Sequence, residues 1–157
     1  MFVGITGHQS LSDSGGWETI KGQLRRLLDG IEPPLVGLSS LAAGADQLFA
    51  SLVLSLGGDL VVVLPFEGYG RSFGDDHSKR SFRRLLARAA RVEHLACQGE
   101  DEECYRAAGR RVVDESDILI AVWDGQPAKG IGGTADVVAY AKEIGKTVFL
   151  VDAARWR

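Results

Sequence analysis

The sequence lacks the features that mark membrane and secreted proteins. Its longest apolar stretches, such as residues 60–66, are far shorter than the roughly 20 residues that cross a bilayer. The first six residues, MFVGIT, carry no basic segment ahead of their apolar run and so do not resemble a signal peptide. We therefore expect a cytoplasmic protein with no membrane association.

Positive charge is also scarce. The 157 residues include 18 Lys and Arg against 21 Asp and Glu, a formal net charge of −3. Nucleic-acid-binding domains usually carry a basic excess that displaces counterions from phosphates. Here the only basic concentration is local, over residues 79–91. The composition therefore argues against nucleic acid as a partner.

Cysteine is nearly absent. Cys97 and Cys104 have neither the CxxC spacing of a redox site nor the spacing of a zinc site. Without a secretion signal, two reduced thiols are the expectation for a cytosolic protein. We expect no metal site and no bound cofactor.

What the sequence does contain is a regular alternation of apolar runs and segments of helical period. Strands are predicted at 2–6, 35–38, 60–64, 92–95, 118–123 and 147–151, and helices at 17–28, 46–56, 79–91, 101–116 and 135–144. This order predicts an α/β fold, a doubly wound and mostly parallel sheet with helices on both faces. Residues 1–157 are expected to form a single domain.

In such sheets, ligands bind outside the carboxyl ends of the strands, so the residues that follow each strand are the candidates for a site. Gly7, His8 and Gln9 follow the first strand. The glycine allows a sharp turn and a close approach to main-chain amides, and His8 can donate to a phosphate or hydroxyl. A turn glycine with an exposed histidine is the equally good alternative.

The second strand leads into a loop of small residues, Ser40-Leu41-Ala42-Ala43-Gly44, ahead of a helix. The free amides and dipole of that helix N-terminus favour an anion. Asp46 either caps the helix, which is its structural role, or accepts hydrogen bonds from ribose hydroxyls.

The fifth strand is followed by Asp124 and Gly125 and then by a glycine-rich segment with Gly130, Gly132 and Gly133. Four glycines just ahead of a helix make a phosphate-binding loop plausible, although the spacing is neither that of a P-loop nor GxGxxG. Thr134 either caps the helix or binds a phosphate oxygen.

The region after the third strand supplies weaker candidates. Pro65, with Glu67 close behind it, can provide a wall and a carboxylate. Arg80 lies on an amphipathic helix whose basic face is by default solvated, but it can reach a phosphate if the helix begins near the site.

Taken together, GITGH at 4–8, SLAAGAD at 40–46, AVWDG at 121–125 and GIGGTA at 130–135 resemble the SLOG superfamily. This group includes the Lonely Guy phosphoribohydrolases and the DNA-processing protein DprA. The resemblance runs from about residue 3 to 151. It implies a modified Rossmann sheet, a nucleotide site built from these loops and, as in many members, a homo-oligomer.

One position departs from the enzymes of the superfamily. The Lonely Guy signature PGGxGTxxE ends in a catalytic glutamate, and alignment on Gly133 and Thr134 puts Val137 at that position. Valine can neither stabilise an oxocarbenium-like state nor activate water. Asp136, one residue away, is rotated by about 100° on a helix. Weak catalytic candidates are Glu67, Arg80 and Asp136.

These observations favour a module that binds or senses a nucleotide, nucleoside monophosphate or ADP-ribose-like ligand. The alternatives are a nucleoside 5′-monophosphate phosphoribohydrolase with a rearranged carboxylate, and a scaffold whose glycines only turn corners. The predicted ligand-binding residues are Gly7, His8, Gln9, Ser40, Leu41, Ala42, Gly44, Asp46, Pro65, Asp124, Gly125, Gly130, Gly132, Gly133 and Thr134.

Overall fold

The computed structural model describes residues 1–127 and 133–154. Within them the strands are β1 (Phe2–Gly7), β2 (Val36–Ser39), β3 (Asp59–Leu64), β4 (Arg91–His94), β5 (Ile118–Trp123) and β6 (Thr147–Asp152). The α-helices are α1 (Gly16–Asp29), α2 (Ala45–Ser55), α3 (Asp76–Ala87), α4 (Asp101–Glu115) and α5 (Thr134–Glu143), and a short 3₁₀ helix covers Tyr69–Ser72.

The six strands form one parallel sheet in the order β4-β3-β2-β1-β5-β6. The chain moves outward from β1 to β4, then returns through α4 to pair β5 with the other side of β1. The winding direction therefore reverses between β1 and β5, where the carboxyl ends of adjacent strands leave room for a ligand. The predicted α/β, doubly wound fold is confirmed.

The helices form two layers because β3 is apolar on both faces. Leu60 and Val62 pack in a cluster with residues of α2 and α3, whereas Val61 and Val63 pack against Ala108 of α4. These four β3 side chains are almost fully buried. Burial of a Val or Leu side chain contributes about 1.5–3 kcal/mol, so this strand anchors both layers.

The third helix begins earlier than the sequence pattern predicts. The apolar period predicts a helix over residues 79–91, but α3 spans Asp76–Ala87. Asp75 caps it, since its carboxylate accepts a hydrogen bond of 2.7 Å from the Ser78 amide. The spacing of apolar residues does not predict this first turn, because its residues are polar. With the extra turn, α3 begins closer along the chain to the end of β3.

The expectation of two reduced thiols is wrong. Cys97 and Cys104 form a disulfide with their Cα atoms 5.6 Å apart. Cys97 follows β4 and Cys104 lies in the first turn of α4, so the bond closes the connection between them. The pairing depends on how this connection folds back onto the helix, which the sequence spacing does not reveal.

Within residues 1–127 and 133–154, no helix is both long enough and apolar enough to cross a membrane. The assignment of residues 1–157 to a single domain stays a prediction.

Substitution of Gly37 tests the packing of α2 on the sheet. A Cβ at Gly37 would lie 2.7 Å from a methyl of Val53 and 3.0 Å from the ring of Phe49. We expect Gly37→Ala to lower the free energy of unfolding by about 1–3 kcal/mol, measured by urea denaturation. Gly22, inside α1, has no described atom within 4 Å of such a Cβ, so Gly22→Ala should raise it by about 0.5–1 kcal/mol. Equal stability of Gly37→Ala and wild type would contradict the described packing.

Candidate functional site

The carboxyl ends of β1, β2, β3 and β5 open into one cavity of about 1010 Å³. This volume is at the upper end of the range for small-molecule sites. Residues after all four strands contribute to its lining, together with the first turns of α2, α4 and α5. The cavity therefore lies at the reversal of winding between β1 and β5.

Most of the predicted ligand-binding residues that the structure describes line this cavity. They are Gly7, His8, Gln9, Ser40, Ala42, Asp46, Pro65, Asp124, Gly133 and Thr134. Gly130 and Gly132 lie outside the described residues. Their role, and that of the whole set, stays a prediction.

Six other candidates do not line the cavity: Leu41, Gly44, Gly125, Glu67, Arg80 and Asp136. Leu41 is fully buried and packs with Ala50 and Leu60. Its φ of 56° is in the left-handed region, which costs a non-glycine residue about 1–2 kcal/mol. Burial of its side chain offsets that cost and fixes the shape of the β2–α2 loop.

Gly7 and Gly44 are required by the packing of three chain segments. A Cβ at Gly7 would lie 2.6 Å from Cβ of Ala45 and 2.8 Å from Cβ of Val122. Gly44 has a φ of 84°, and a Cβ there would lie 2.5 Å from the carbonyl oxygen of His8. These contacts explain why both positions require glycine, without any role for a ligand. Direct contact of Gly7 or Gly44 with a ligand stays a prediction.

His8 joins the ends of β1, β5 and α2. Its amide donates to the Val122 carbonyl at 3.1 Å, and its carbonyl accepts from the Ala45 amide at 3.0 Å. Its ring Nε2 accepts a hydrogen bond of 3.0 Å from the Asp124 amide. The same nitrogen lies 3.4 Å from the carboxylate of Asp124, so the backbone and the side chain of Asp124 both fix the ring.

Asp46 is a buried carboxyl at the floor of the cavity. Its Oδ2 accepts from the Ser39 hydroxyl and from the Ser40 amide, both at 3.3 Å. Burial raises the pKa of Asp46 to about 7, and the hydrogen bonds from Ser40, Ser39 and Ala42 only partly oppose this rise. The side chain is therefore not a helix cap. It holds the β2–α2 loop and exchanges a proton near neutral pH.

Two helices direct uncapped N-termini at the cavity. The N-cap residues of α2 and α5 are Gly44 and Gly133, and neither end has a side-chain capping bond from a described residue. Ala42, Ala43 and Thr134 line the cavity beside these ends. Exposed N-terminal amides and the helix dipole favour a negatively charged group there.

Aromatic side chains form another part of the cavity wall. Tyr69, Phe73 and Tyr105 line the cavity, with ring centroids 5.2 Å apart for Tyr69 and Phe73 and 6.1 Å apart for Tyr69 and Tyr105. Burial, and then the charge of Asp46, raises the pKa of Tyr69 above its ordinary value. Tyr69 is therefore a neutral phenol throughout the physiological range.

The sequence pattern misses several lining residues as site candidates, chiefly Phe73, Asp75, Glu102 and Gly109. Asp75 is detectable as a capping residue three positions before Ser78. Glu102 and Gly109 belong to α4, which reaches the site only because the strand order carries it back across β3 and β1. No local signal in the sequence encodes that placement.

The cavity lining is acidic among the residues that the structure describes. It includes the carboxyl groups of Asp46, Asp75, Glu102 and Asp124, and this described lining includes no Lys or Arg. Nowhere in the described part of the chain do three His, Cys, Asp or Glu side chains form a group that could hold a metal ion. Within this described lining, the donors to an anionic group are therefore main-chain amides and uncharged side chains such as the Thr134 hydroxyl.

The raised pKa of Asp46 makes a prediction about stability. The folded protein holds this proton up to about pH 7, whereas the unfolded chain releases it near the ordinary value of 3.8. The stabilisation from Asp46 is thus present at low pH and is lost as the pH rises through 7. Asn cannot ionise, so the melting temperature of Asp46→Asn minus that of wild type should increase from about pH 4 to 7 and stay level above pH 8.

Asp75→Asn provides a control of opposite sign. The hydrogen bond from the Ser78 amide lowers the pKa of Asp75, so Asp75 stabilises the fold above its unfolded pKa and loses that effect in acid. The melting temperature of Asp75→Asn minus that of wild type should therefore decrease with rising pH in the acid range. A pH-independent difference for Asp46→Asn would contradict the raised pKa.

Three solved structures show where this fold occurs. DprA of Helicobacter pylori, solved for its mode of single-stranded DNA binding, matches with a TM-score of 0.69 and 14% identity over 99% of this chain and 70% of that chain. DprA of Streptococcus pneumoniae matches with a TM-score of 0.63 and 19% identity over 94% of this chain. The molybdenum cofactor carrier protein of Chlamydomonas reinhardtii matches with a TM-score of 0.55 and 18% identity over 95% of this chain and 74% of that chain.

The chain spans about half, 49%, of the length of the S. pneumoniae DprA chain. The sequence matches no protein-family model and no curated protein. At these low identities the likeness concerns the fold.

The prediction that argued against nucleic acid as a partner is wrong. It rested on the net charge of the whole chain, and the same fold occurs in DprA proteins, one of them solved for its binding of single-stranded DNA. Net charge averages over the surface, whereas a nucleic acid responds to the local arrangement of charge. The strand order and the cavity at the strand ends show a Rossmann-like fold that resembles that of the DprA structures.

Proposed function

We propose that this protein is a binding or sensing module for a nucleotide or nucleotide-derived ligand, acting in the cytoplasm. The observation that carries the proposal is the cavity itself, where the loops after four strands and the uncapped N-termini of α2 and α5 meet. A ligand that carries an anionic group and an aromatic group matches the helix N-termini and the aromatic lining.

The phosphate is assigned to the helix ends. In the part of the chain that the structure describes, the amides of Ala43 and Gly44 make no hydrogen bond to protein atoms. They precede α2, and the first turn of α5 lies on the same cavity. Since the described lining has no Lys or Arg, we expect these amides, together with hydroxyl groups such as that of Thr134, to hold the phosphate.

We propose that the aromatic lining and Asp46 hold the nucleoside. Phe73 and Tyr105 offer ring faces for a base, and base–aromatic stacking contributes about 1–3 kcal/mol per base. Asp46 lies on the cavity floor, and its carboxyl can both donate to and accept from a ribose hydroxyl near pH 7. This arrangement favours a ribonucleotide such as AMP or ADP-ribose.

Hydrolysis of the N-glycosidic bond has less support. Val137, at the position of the Lonely Guy glutamate, is 5% exposed, and its side chain lies where a Cβ on Gly109 would come within 2.7 Å. Val137 also lines the cavity, so this position places an apolar side chain, which contacts α4, where the enzymes have a carboxylate. Incubation with AMP, followed by chromatography, is expected to release no free adenine.

A charge placed at the β2–α2 loop tests the binding proposal. Ala43 lines the cavity beside the N-terminus of α2. We expect Ala43→Asp to weaken AMP or ADP-ribose binding by about tenfold or more, because a carboxylate there repels the phosphate and satisfies the amides that would hold it. Calorimetric titration measures the effect.

Ala43→Asn is the matched control, since it has nearly the same shape without the charge. It should weaken binding clearly less than Ala43→Asp does. Equal losses in the two variants would contradict an anion site at this loop, and no binding of either ligand to wild type would contradict the proposal as a whole.

A second candidate function, binding of single-stranded nucleic acid, is favoured by the outer face of α3. This basic face consists of Arg80, Arg83, Arg84 and Arg88, all exposed and none in an ion pair with a residue that the structure describes. Arg80 and Arg84, and again Arg84 and Arg88, are four residues apart. Like charges at this spacing destabilise a helix by about 0.2–0.5 kcal/mol per pair, so the arrangement is not explained by helix stability.

The basic face fits a chain of phosphates better than a membrane. The apolar side of α3, with Phe82 and Leu85, is buried in the core and has nothing to insert into a bilayer. Arginine forks match phosphate oxygens in pairs. Phe73, in the segment just before α3, lines the cavity. A single-stranded nucleic acid bound along the basic face would therefore extend toward the ring of Phe73.

Charge reversal tests this candidate. We expect Arg80→Glu/Arg84→Glu to weaken binding of a fluorescent oligothymidylate by about tenfold or more and to lower the slope of log K against log salt by about 1–2. Arg25→Glu/Arg26→Glu makes the same charge change on the exposed side of α1 and should have a smaller effect. Equal effects of the two double variants would contradict a localised site.

A further inference from the structure

We propose that the Cys97–Cys104 disulfide is a redox modification site that controls the α4 wall of the cavity. The expected change in ligand affinity rests on the proposed function. The expected loosening of the first turn of α4 rests only on the structure around the disulfide. In the cytoplasm, where we place this protein, disulfides are usually transient and serve catalysis or redox sensing.

The disulfide is the strongest tie between the β4–α4 connection and the helix. Cys104 is 1% exposed, while Cys97 lies partly exposed in a connection without regular structure. The N-cap residue Glu100 makes no side-chain capping bond to the described residues. The Cys104 amide donates to the Glu100 carbonyl at 3.1 Å, which is an ordinary helical bond. The contacts that hold α4 against the sheet lie beyond this first turn, in the second half of the helix.

The same turn carries part of the cavity wall. Glu102 and Tyr105, on either side of Cys104, both line the cavity. The Tyr105 ring lies 5.7 Å from Phe66 and 6.1 Å from Tyr69, so its position sets the aromatic wall. A shift of the backbone at Cys104 would therefore move Glu102 and Tyr105, and with them this part of the cavity wall.

The remainder of α4 is held independently of the disulfide. Ala108 and Val112 are buried against Leu38, Val61 and Val63 of the sheet. Loss of the disulfide should therefore loosen the first turn of α4 and leave its second half packed. A local opening of this kind can change a binding site without unfolding the domain.

The chemistry is a thiol–disulfide exchange with a dithiol reductant. A reductant thiolate attacks the sulfur of Cys97, the more exposed of the two residues, the S–S bond breaks and Cys104 leaves as a thiolate that then takes up a proton. The second thiol of the reductant then attacks the reductant sulfur of the mixed disulfide, which closes the reductant's disulfide and releases the thiol of Cys97. Two electrons and two protons pass to the protein, which gains two thiols, and the dithiol becomes a disulfide.

Hydrogen–deuterium exchange of the full chain, with and without dithiothreitol, tests the effect on the protein. We expect amides in residues 98–105 to exchange about tenfold faster after reduction, and those in residues 108–113 to keep their rates. Cys97→Ser should show the fast exchange without reductant and no further change with it. If that variant does not fold, the reduced wild type alone decides. Unchanged exchange at residues 98–105 overturns the proposal.

Titration with AMP tests the coupling to the cavity. Reduced protein should bind AMP about tenfold more weakly, because two wall side chains must be ordered again on binding. Equal affinity of the two forms overturns the coupling. If AMP binds neither form, the proposed nucleotide function fails, while the exchange measurement still decides whether the disulfide controls the α4 wall.

Discussion

The packing of three chain segments around His8 is the constraint on which the site depends. The His8 amide and carbonyl join the end of β5 to the start of α2, and the absence of side chains at Gly7 and Gly44 lets these segments approach. A side chain at either glycine would separate β1, β5 and α2, and with them the loops that form the cavity. Close packing here thus sets the geometry of the helix ends.

The cavity combines groups of opposite electrostatic character. The N-termini of α2 and α5 favour an anion, whereas the described lining holds four carboxyl groups and no Lys or Arg. Burial resolves part of this conflict, since it raises the pKa of Asp46 to about 7 and so removes part of its charge at neutral pH. A ligand with a small anionic group and several hydrogen-bonding hydroxyls suits this balance better than a highly charged one.

Charge outside the cavity is equally segregated. Arg91 and Arg111 form ion pairs with Glu93 and Glu115, while the arginines of the basic face of α3 have no such partners among the described residues. The net charge of −3 hides this difference. Pairing is a property of neighbours in space, which a sum over the chain does not record.

The sequence by itself determined the α/β alternation, the apolar centre at β3 and the small residues after β1 and β2, because these are local patterns of period and side-chain volume. The tertiary structure alone decided that α4 crosses back to bring Glu102 and Tyr105 to the cavity, that Cys97 meets Cys104, and that Asp46 is buried. The first and the third depend on the packing of elements distant in the chain, and the disulfide depends on how the β4–α4 connection folds back onto its helix. Local propensity contains no term for either.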